Sequence, residues 1–144
     1  MNETPCSLCE FTGGELVWKS ALYRVILADE PDYPGFCRVI WNEHIAEMTD
    51  LPPLERQILM AVVWAVEETI RATLSPDKIN VASLGNVVPH VHWHVIPRWR
   101  DDRHFPAPVW AAPAREAKPR TIDLAQLKAA LASKLLMLES IAKD

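Results

Sequence analysis

Three short segments near the start of the chain have the apolar runs and alternation of β-strands. They are ELVW (15–18), ALYRVILA (21–28) and FCRVIW (36–41). β-branched and aromatic residues dominate them, and the turn-forming stretches TGG and DEPDYPG separate them. The pattern predicts an antiparallel meander of three strands.

From residue 52 to residue 74 the apolar positions change period and recur every three or four residues, as on one face of an amphipathic helix. Asp50 stands where it can cap this helix, and Ser75-Pro76 closes the pattern. A second helix is predicted over residues 121–142, with Thr121 as its cap. Its apolar face comprises Leu124, Leu127, Leu131, Leu135 and Leu138.

Two further strands are predicted between the helices, KINVASL (78–84) and HVHWHVI (90–96), with the GNVV turn between them. Residues 97–120 are rich in proline and charge and predict an ordered but irregular loop. Strands and helices are segregated along the chain, which favours an α+β fold: an antiparallel sheet of about five strands with two main helices. At 144 residues, the chain (1–144) is expected to be a single domain.

The composition of the chain limits the kinds of molecule that it is expected to bind and the compartment in which it is expected to work. The net charge of −4 provides no basic field for nucleic acid, so no nucleic-acid partner is expected. The longest apolar run, residues 58–66, is far shorter than the ~20 residues of a membrane span, and the start of the chain shows no signal-peptide pattern. Three cysteines, an odd number, suit a reducing compartment, and a cytoplasmic location is expected.

The strand 90–96 carries three histidines at every second position, His90, His92 and His94. Side chains two apart on a strand point to the same face, so the histidines are predicted to line one side while Val91, Trp93 and Val95 pack on the other. A solvated polar face would account for one histidine more readily than for three in register.

Two chemical roles are open to such a row of imidazoles. A metal site that uses all three is disfavoured, because the outer pair is ~13 Å apart along a straight strand and zinc needs nitrogens at ~2.0–2.1 Å. Nucleophilic catalysis suits the arrangement better. A neutral imidazole can attack phosphorus while its neighbours hold the phosphoryl oxygens.

The segment HVHWHVI resembles the signature of the histidine triad (HIT) superfamily, in which three histidines alternate with apolar residues. YPGFCRVIWNEHIAEMTDLPP also resembles the segment that precedes the long helix in that family. GNVVPHVHWHVIPR is similar to the approach and exit of the triad in its Fhit-like branch, which includes diadenosine polyphosphate hydrolases. The resemblance covers residues 6–98.

The resemblance implies specific roles for residues near the triad. His92 would be the nucleophile that forms a nucleotidyl-histidine, and His94 would contact the transferring phosphoryl group. The backbone carbonyl of His90 would orient the His92 ring. Asn86 stands where the family has a Ser or Gln that binds phosphate, although it is also a good turn residue. Asp29 is a candidate for binding the ribose hydroxyls, although ADEPDY also suits a simple loop.

A zinc site is a further implication of the resemblance. Cys6 and Cys9 have the spacing of half a zinc site, and some HIT proteins add a histidine after the central strand and the first histidine of the triad. The matching residues here are His44 and His90. Without a metal, the two cysteines would be ordinary core residues and the histidine near the helix an ordinary surface residue, and the sequence is equally compatible with that alternative.

The expected activity is release of a nucleoside monophosphate from dinucleoside polyphosphates, with a purine nucleotide as substrate and no organic cofactor. The alternatives are a purine nucleoside phosphoramidase, a nucleotidyl transferase and a non-catalytic, zinc-stabilised nucleotide-binding module. Family resemblance also implies a homodimer.

Trp99 and Trp110 flank the loop after the triad, where they either cover a base or pin the loop. His104 lies between them in the sequence and is expected to lie on the surface.

Overall fold

A five-stranded antiparallel sheet organises the chain in the computed structural model, which describes residues 5–142. The ends of the predicted 1–144 domain, residues 1–4 and 143–144, lie outside the described residues. The strands follow the order β1-β2-β3-β5-β4. Their bounds are Glu15–Lys19 (β1), Tyr23–Leu27 (β2), Cys37–Trp41 (β3), Lys78–Ala82 (β4) and His92–Arg98 (β5). The predicted meander of β1, β2 and β3 is confirmed, and so is the α+β class.

Among the described residues, three helices accompany the sheet, Ser7–Glu10 (α1), Pro53–Leu74 (α2) and Leu124–Ala142 (α3), with one 3-10 turn at Met48–Asp50. The two long helices are the predicted ones, whereas α1 and the 3-10 turn were not predicted. The sequence placed the start of the last helix at residue 121, but α3 begins at Leu124. There the Asp123 carboxylate accepts the Gln126 N–H at 3.0 Å, which makes Asp123 the cap instead of Thr121.

Asp50 also has a different role from the predicted one. Its carboxylate accepts the Glu47 N–H at 3.1 Å and so caps the 3-10 turn. The long helix α2 starts after Pro52 without a side-chain cap. Proline lacks an N–H, and its fixed φ suits the first turn of a helix, so α2 can begin there without a capping oxygen.

The two faces of the sheet are covered by different parts of the chain. The main core lies between one face and helices α2 and α3, where Val39 and Val95 from the strands meet Val63 and Leu131 from the helices, all fully buried. On the opposite face Ile26 and Ile40 pack under Leu8 of α1. The two long helices therefore cover only one face, and the other is left to the N-terminal segment with α1 and to the loop after β5.

Residues 99–120 form the predicted irregular loop, while residues 97 and 98 belong to β5. The loop is organised around the buried carboxylate of Asp102, which accepts hydrogen bonds from Arg98 Nε at 2.8 Å and from the backbone N–H groups of Trp99, His104 and Phe105. The Tyr33 hydroxyl reaches the same carboxylate at 3.1 Å. These bonds fix the loop against the open face of the sheet.

Within residues 5–142, none of the helices combines the length and the apolar character that crossing a membrane requires.

Candidate active site and metal cluster

His92 opens strand β5 and is held by the residue two places before it. Its Nδ1 lies 2.6 Å from the carbonyl oxygen of His90. A carbonyl can only accept a hydrogen bond, so Nδ1 carries the proton and Nε2 keeps a free lone pair. Burial lowers the pKa of His92, the bond to His90 raises it, and the Arg38 charge lowers it again. The net shift is downward, which keeps the imidazole neutral and nucleophilic at neutral pH.

His94 lies beside His92 on the same face of β5. The two rings are 4.9 Å apart and nearly perpendicular, at 81°. Nδ1 of His94 receives a hydrogen bond from Arg38 Nε at 3.2 Å. Burial, His92 and the Arg38 charge together lower the pKa of His94 to about 4, so this ring is also neutral at neutral pH.

His90 does not continue the row of rings, which corrects the prediction that all three line one strand face. Strand β5 begins at His92, not at residue 90. The His90 ring is fully buried, with Nε2 2.5 Å from the carbonyl oxygen of Trp41 and Nδ1 facing the two N-terminal cysteines. The bond to Trp41 holds the ring at the cysteines, while the His90 carbonyl faces His92.

The four predicted metal ligands, Cys6, Cys9, His44 and His90, converge in the structure. Their donor atoms all lie within 4.8 Å of one another. Cys6 Sγ and Cys9 Sγ are each 3.5 Å from His90 Nδ1, and His44 Nδ1 is 3.3 Å from both Cys9 Sγ and His90 Nδ1. Donors of a tetrahedral zinc site lie ~3.3–3.8 Å apart. Two thiols and two imidazoles at this spacing are a suitable ligand set for zinc, and the carbonyl of Trp41 supplies the outer hydrogen bond that metal-bound histidines require.

Arg24 fixes the segment that carries the two cysteines. Its guanidinium, almost fully buried in β2, donates to the carbonyl oxygens of Leu8 at 2.6 Å, Phe11 at 3.1 Å and Thr12 at 3.0 Å. These carbonyls belong to or follow the four-residue helix α1, which is too short to be stable by itself. Arg24 and the apolar contact of Leu8 with Ile26 and Ile40 therefore together hold the segment of Cys6 and Cys9 on the sheet.

Asn86 and Asp29, the two predicted substrate-binding residues, are both exposed. Asn86 lies in the connection between β4 and β5, and Asp29 follows β2 in a cleft that it lines with Glu30 and Gly35. Within the described part of the chain, neither side chain makes a hydrogen bond or an ion pair. Both are thus available to a ligand, and their roles stay predictions.

The two tryptophans of the loop have different surroundings. Trp110 lies edge-to-face against His94, with ring centroids 5.0 Å apart, and is 50% exposed. Trp99 is buried under the Arg120 guanidinium, 4.1 Å above its ring. The prediction of a surface position for His104 is wrong: its ring is buried and its Nδ1 lies 2.6 Å from the Tyr33 hydroxyl. The Asp102 network turns the loop inward at this point.

Sequence reasoning missed two groups at the triad. Arg38 bonds to His94, and the Phe36 ring stands 5.7 Å from the His94 ring. The available signal was Arg38 itself, a single cation inside the apolar strand FCRVIW. A charged residue within a mostly buried strand needs a partner, and pairing β3 with β5 would have offered His94.

Comparison with known proteins identifies the family to which the chain belongs. The HIT domain matches residues 13–101, and the chain belongs to this family. It is 31% identical over 98 residues to AP-4-A phosphorylase of Mycobacterium tuberculosis, covering 64% of this chain and 50% of that protein. It is 30% identical over 95 residues to bis(5'-nucleosyl)-tetraphosphatase [asymmetrical] of Schizosaccharomyces pombe, covering 62% and 52%. The chain thus spans about half the length of these two relatives.

A solved structure shows the same fold over most of the chain. The zinc-bound histidine triad family protein from Mycobacterium smegmatis superposes with a TM-score of 0.61 at 26% identity, covering 94% of this chain and 96% of that one. The HIT fold expected from the triad segment is therefore confirmed.

Proposed function

We propose that the protein releases a nucleoside monophosphate from dinucleoside polyphosphates through a nucleotidyl-histidine formed on His92. The observation that carries the proposal is the bond between His92 Nδ1 and the His90 carbonyl. It directs the lone pair of Nε2 away from the backbone, as a nucleophile requires. The AP-4-A phosphorylase and the tetraphosphatase among the relatives support this class of substrate.

The reaction has two steps on this face of the sheet. Nε2 of His92 attacks the α-phosphorus, a P–N bond forms, and the P–O bond to the remaining polyphosphate breaks. Water then attacks the same phosphorus, the P–N bond breaks, and the nucleoside monophosphate leaves with His92 restored. His94 donates a hydrogen bond to the phosphoryl oxygens during both displacements, while the His90 carbonyl stabilises the charge that develops on the His92 ring.

The substrate would extend from His92 in two directions. We assign Asn86 to the phosphates, since its exposed amide lies in the β4–β5 connection that leads into the triad. We assign Asp29 to the ribose hydroxyls, since β2 ends beside the start of β3, where Arg38 pairs with His94. The half-exposed indole of Trp110 against His94 favours the role of covering a purine base over that of pinning the loop.

Incubation with a panel of adenosine polyphosphates and adenosine phosphoramidates, with products quantified, tests the proposal. Parallel reactions with and without inorganic phosphate separate hydrolysis from phosphorolysis, the alternative that the phosphorylase relative favours. AMP as the product from diadenosine tetraphosphate supports the proposal. Turnover of phosphoramidates alone would replace it with the phosphoramidase alternative, and nucleotide binding without turnover would leave only the binding module.

We further propose that Cys6, Cys9, His44 and His90 hold a structural zinc ion. Bound zinc would cross-link the N-terminal segment to the sheet and take no part in the chemical steps. The fit of the donor distances and the zinc-bound relative support this assignment. His90 connects the two sites, because its ring belongs to the metal cluster and its carbonyl to the nucleophile.

Replacing Cys6 with Ser is expected to lower the zinc content from about one ion per chain and to reduce the thermal stability, because metal binding contributes directly to folding. Elemental analysis and thermal unfolding measure the two effects. Cys37→Ser is the control for zinc content, since the Cys37 thiol is buried in the core away from the cluster. A wild-type protein that binds no zinc and is insensitive to chelators would remove the ion from the proposal.

A homodimer remains part of the proposal. Helices α2 and α3 expose large apolar side chains at Trp64, Met137 and Ile141, with exposed fractions of 57%, 61% and 70%. Strand β4 is also an edge strand, paired only with β5 within the described sheet. Such features are typical of surfaces that a partner covers, and sedimentation analysis of the purified protein tests it.

A further inference from the structure

Arg38 lies at the centre of the triad face, and the two displacement steps above do not use it. It stands on β3 directly opposite His94 of β5. Its side chain is 23% exposed and turned along the sheet, with Nε 3.2 Å from His94 Nδ1 and the guanidinium carbon 5.1 Å from the centre of the Phe36 ring. The packing against Phe36 and the bond to His94 hold the guanidinium beside the triad.

The chemistry of the two partners decides the protonation of His94. A guanidinium has donors only, and it stays charged at every pH at which proteins fold. His94 Nδ1 must therefore be the acceptor of the 3.2 Å bond, and the proton of the neutral ring must be on Nε2. His92 has the opposite arrangement, since the His90 carbonyl holds the proton on its Nδ1. Adjacent rings thus present a lone pair and an N–H to the same open face.

The positive charge of Arg38 and its hydrogen bond to Nδ1 both oppose the binding of a second proton to the His94 ring. The groups that face the His94 ring are His92 on its own strand, Arg38 on β3, the uncharged ring of Phe36 and the uncharged indole of Trp110. Glu30 lies 4.0 Å from the Arg38 guanidinium on its exposed side and is itself 46% exposed, so it offsets little of the positive charge. A second proton on His94 would have to displace the Arg38 donor from Nδ1 and lie beside a fixed cation.

We propose that Arg38 is a positioning residue that holds His94 as the neutral Nε2–H tautomer, so that His94 donates a hydrogen bond to the transferring phosphoryl group. The role in transfer rests on the proposed function, whereas the tautomer of His94 does not. Arg38 acts through His94 and needs no contact with the substrate.

Nitrogen-15 NMR of the imidazole rings in the zinc-loaded protein tests the tautomer directly. In the wild type we expect His94 Nδ1 to be unprotonated and Nε2 protonated from neutral pH down into the acidic range. Arg38→Met should give a mixture of tautomers, and His94 should gain its second proton at a higher pH. Arg38→Lys, which retains the charge and one donor, should lie between the two. His94→Asn assigns the signal by its loss.

The same variants predict a change in turnover at neutral pH. Without the Arg38 donor, part of the neutral His94 rings carry their proton on Nδ1, and these cannot donate from Nε2 to the phosphoryl group. We therefore expect kcat to fall by ~10-fold or more while KM changes little, because the lost interaction belongs to the transition state. Arg71→Met, an exposed arginine on α2, controls for the loss of one positive charge.

Two results would overturn the proposal. One is a His94 tautomer and titration in Arg38→Met that match those of the wild type. The other is a rise in KM at unchanged kcat with no change in the His94 signals, since it would mean that Arg38 binds substrate directly. If Arg38→Met does not fold, Arg38→Lys and Arg38→Gln provide the same comparison. If no nucleotide in the panel is turned over while the tautomer still changes, the proposed function fails and the assignment of the His94 tautomer stands.

Discussion

Replacing His92 with Asn is expected to lower the turnover of diadenosine tetraphosphate by at least about 10⁴-fold while nucleotide binding persists. The change removes the lone pair that attacks phosphorus but leaves His94 and Arg38 in place. Rapid-quench measurements with radiolabelled substrate give the rate, and calorimetric titration with a non-hydrolysable analogue gives the affinity. Wild-type enzyme quenched during turnover should carry an acid-labile label that the His92 variant lacks.

The same substitution at His94 is the matched control, because the two rings are neighbours on one face of β5. His94→Asn should slow turnover by ~10²–10³-fold, the usual cost of one donor to a developing negative charge. It should still form the labelled adduct. Activity of His92→Asn within tenfold of the wild type, or an adduct that survives in this variant, would show that His92 is not the nucleophile.

Replacing Asp102 with Ala is expected to lower the free energy of unfolding by ~3–5 kcal/mol, the cost of removing one partner of a buried ion pair. The change would leave the Arg98 guanidinium, 1% exposed, without its carboxylate, and three backbone N–H groups of the loop without their acceptor. Since a domain is stable by only ~5–15 kcal/mol, urea denaturation should detect the loss readily. Trp110, which is carried by this loop, should also lose its position at His94.

Asp101 is the control for this experiment. It is the adjacent residue, it also pairs with an arginine, Arg120, at 2.5 Å, and its side chain is 48% exposed. Asp101→Ala should change the free energy of unfolding by less than ~1 kcal/mol. Similar losses for both variants would mean that the Asp102 network does not stabilise the loop.

In acid, the difference in stability between the two variants should shrink, because only Asp101→Ala retains the Asp102 carboxylate. Burial alone would raise the pKa of Asp102, but Arg98 and the three N–H groups outweigh it and hold that pKa well below its usual range. Below pH ~3.9 an unfolded aspartate binds a proton that the folded Asp102 does not. The contribution of this carboxylate to stability is therefore complete above that pH and declines as the pH falls further, a dependence that Asp102→Ala should lack.

Local patterns in the sequence were sufficient for most of the fold. Alternation and turn residues located the strands, and the three-to-four-residue period located α2 and α3. Boundaries were less certain where two capping residues compete, as Thr121 and Asp123 do. Both can accept an N–H, and the distinction depends on which side chain reaches the first turn of the folded helix.

The site was predictable where the chemistry is local and not where it depends on distant contacts. The facing of His92 and His94 follows from strand geometry, whereas His90 leaves the row because its ring binds Trp41 and the cysteines, 49 and more positions away in the chain. The burial of His104 depends on Tyr33, 71 positions before it. Pairing of Arg38 with His94 needs the register of β3 and β5, which single-strand patterns do not contain.

The alternation of side chains along β5 has a consequence for how this protein can change by mutation. Its even-numbered positions, from His92 to Ile96, face the open side of the sheet, and its odd-numbered ones, Trp93 and Val95, face the helices. Substitutions at the first set can alter chemistry with little effect on the main core, and those at the second can alter the core while sparing the chemistry. Deleting one residue within the strand would exchange the two sets, so β5 tolerates replacement but not a change of length.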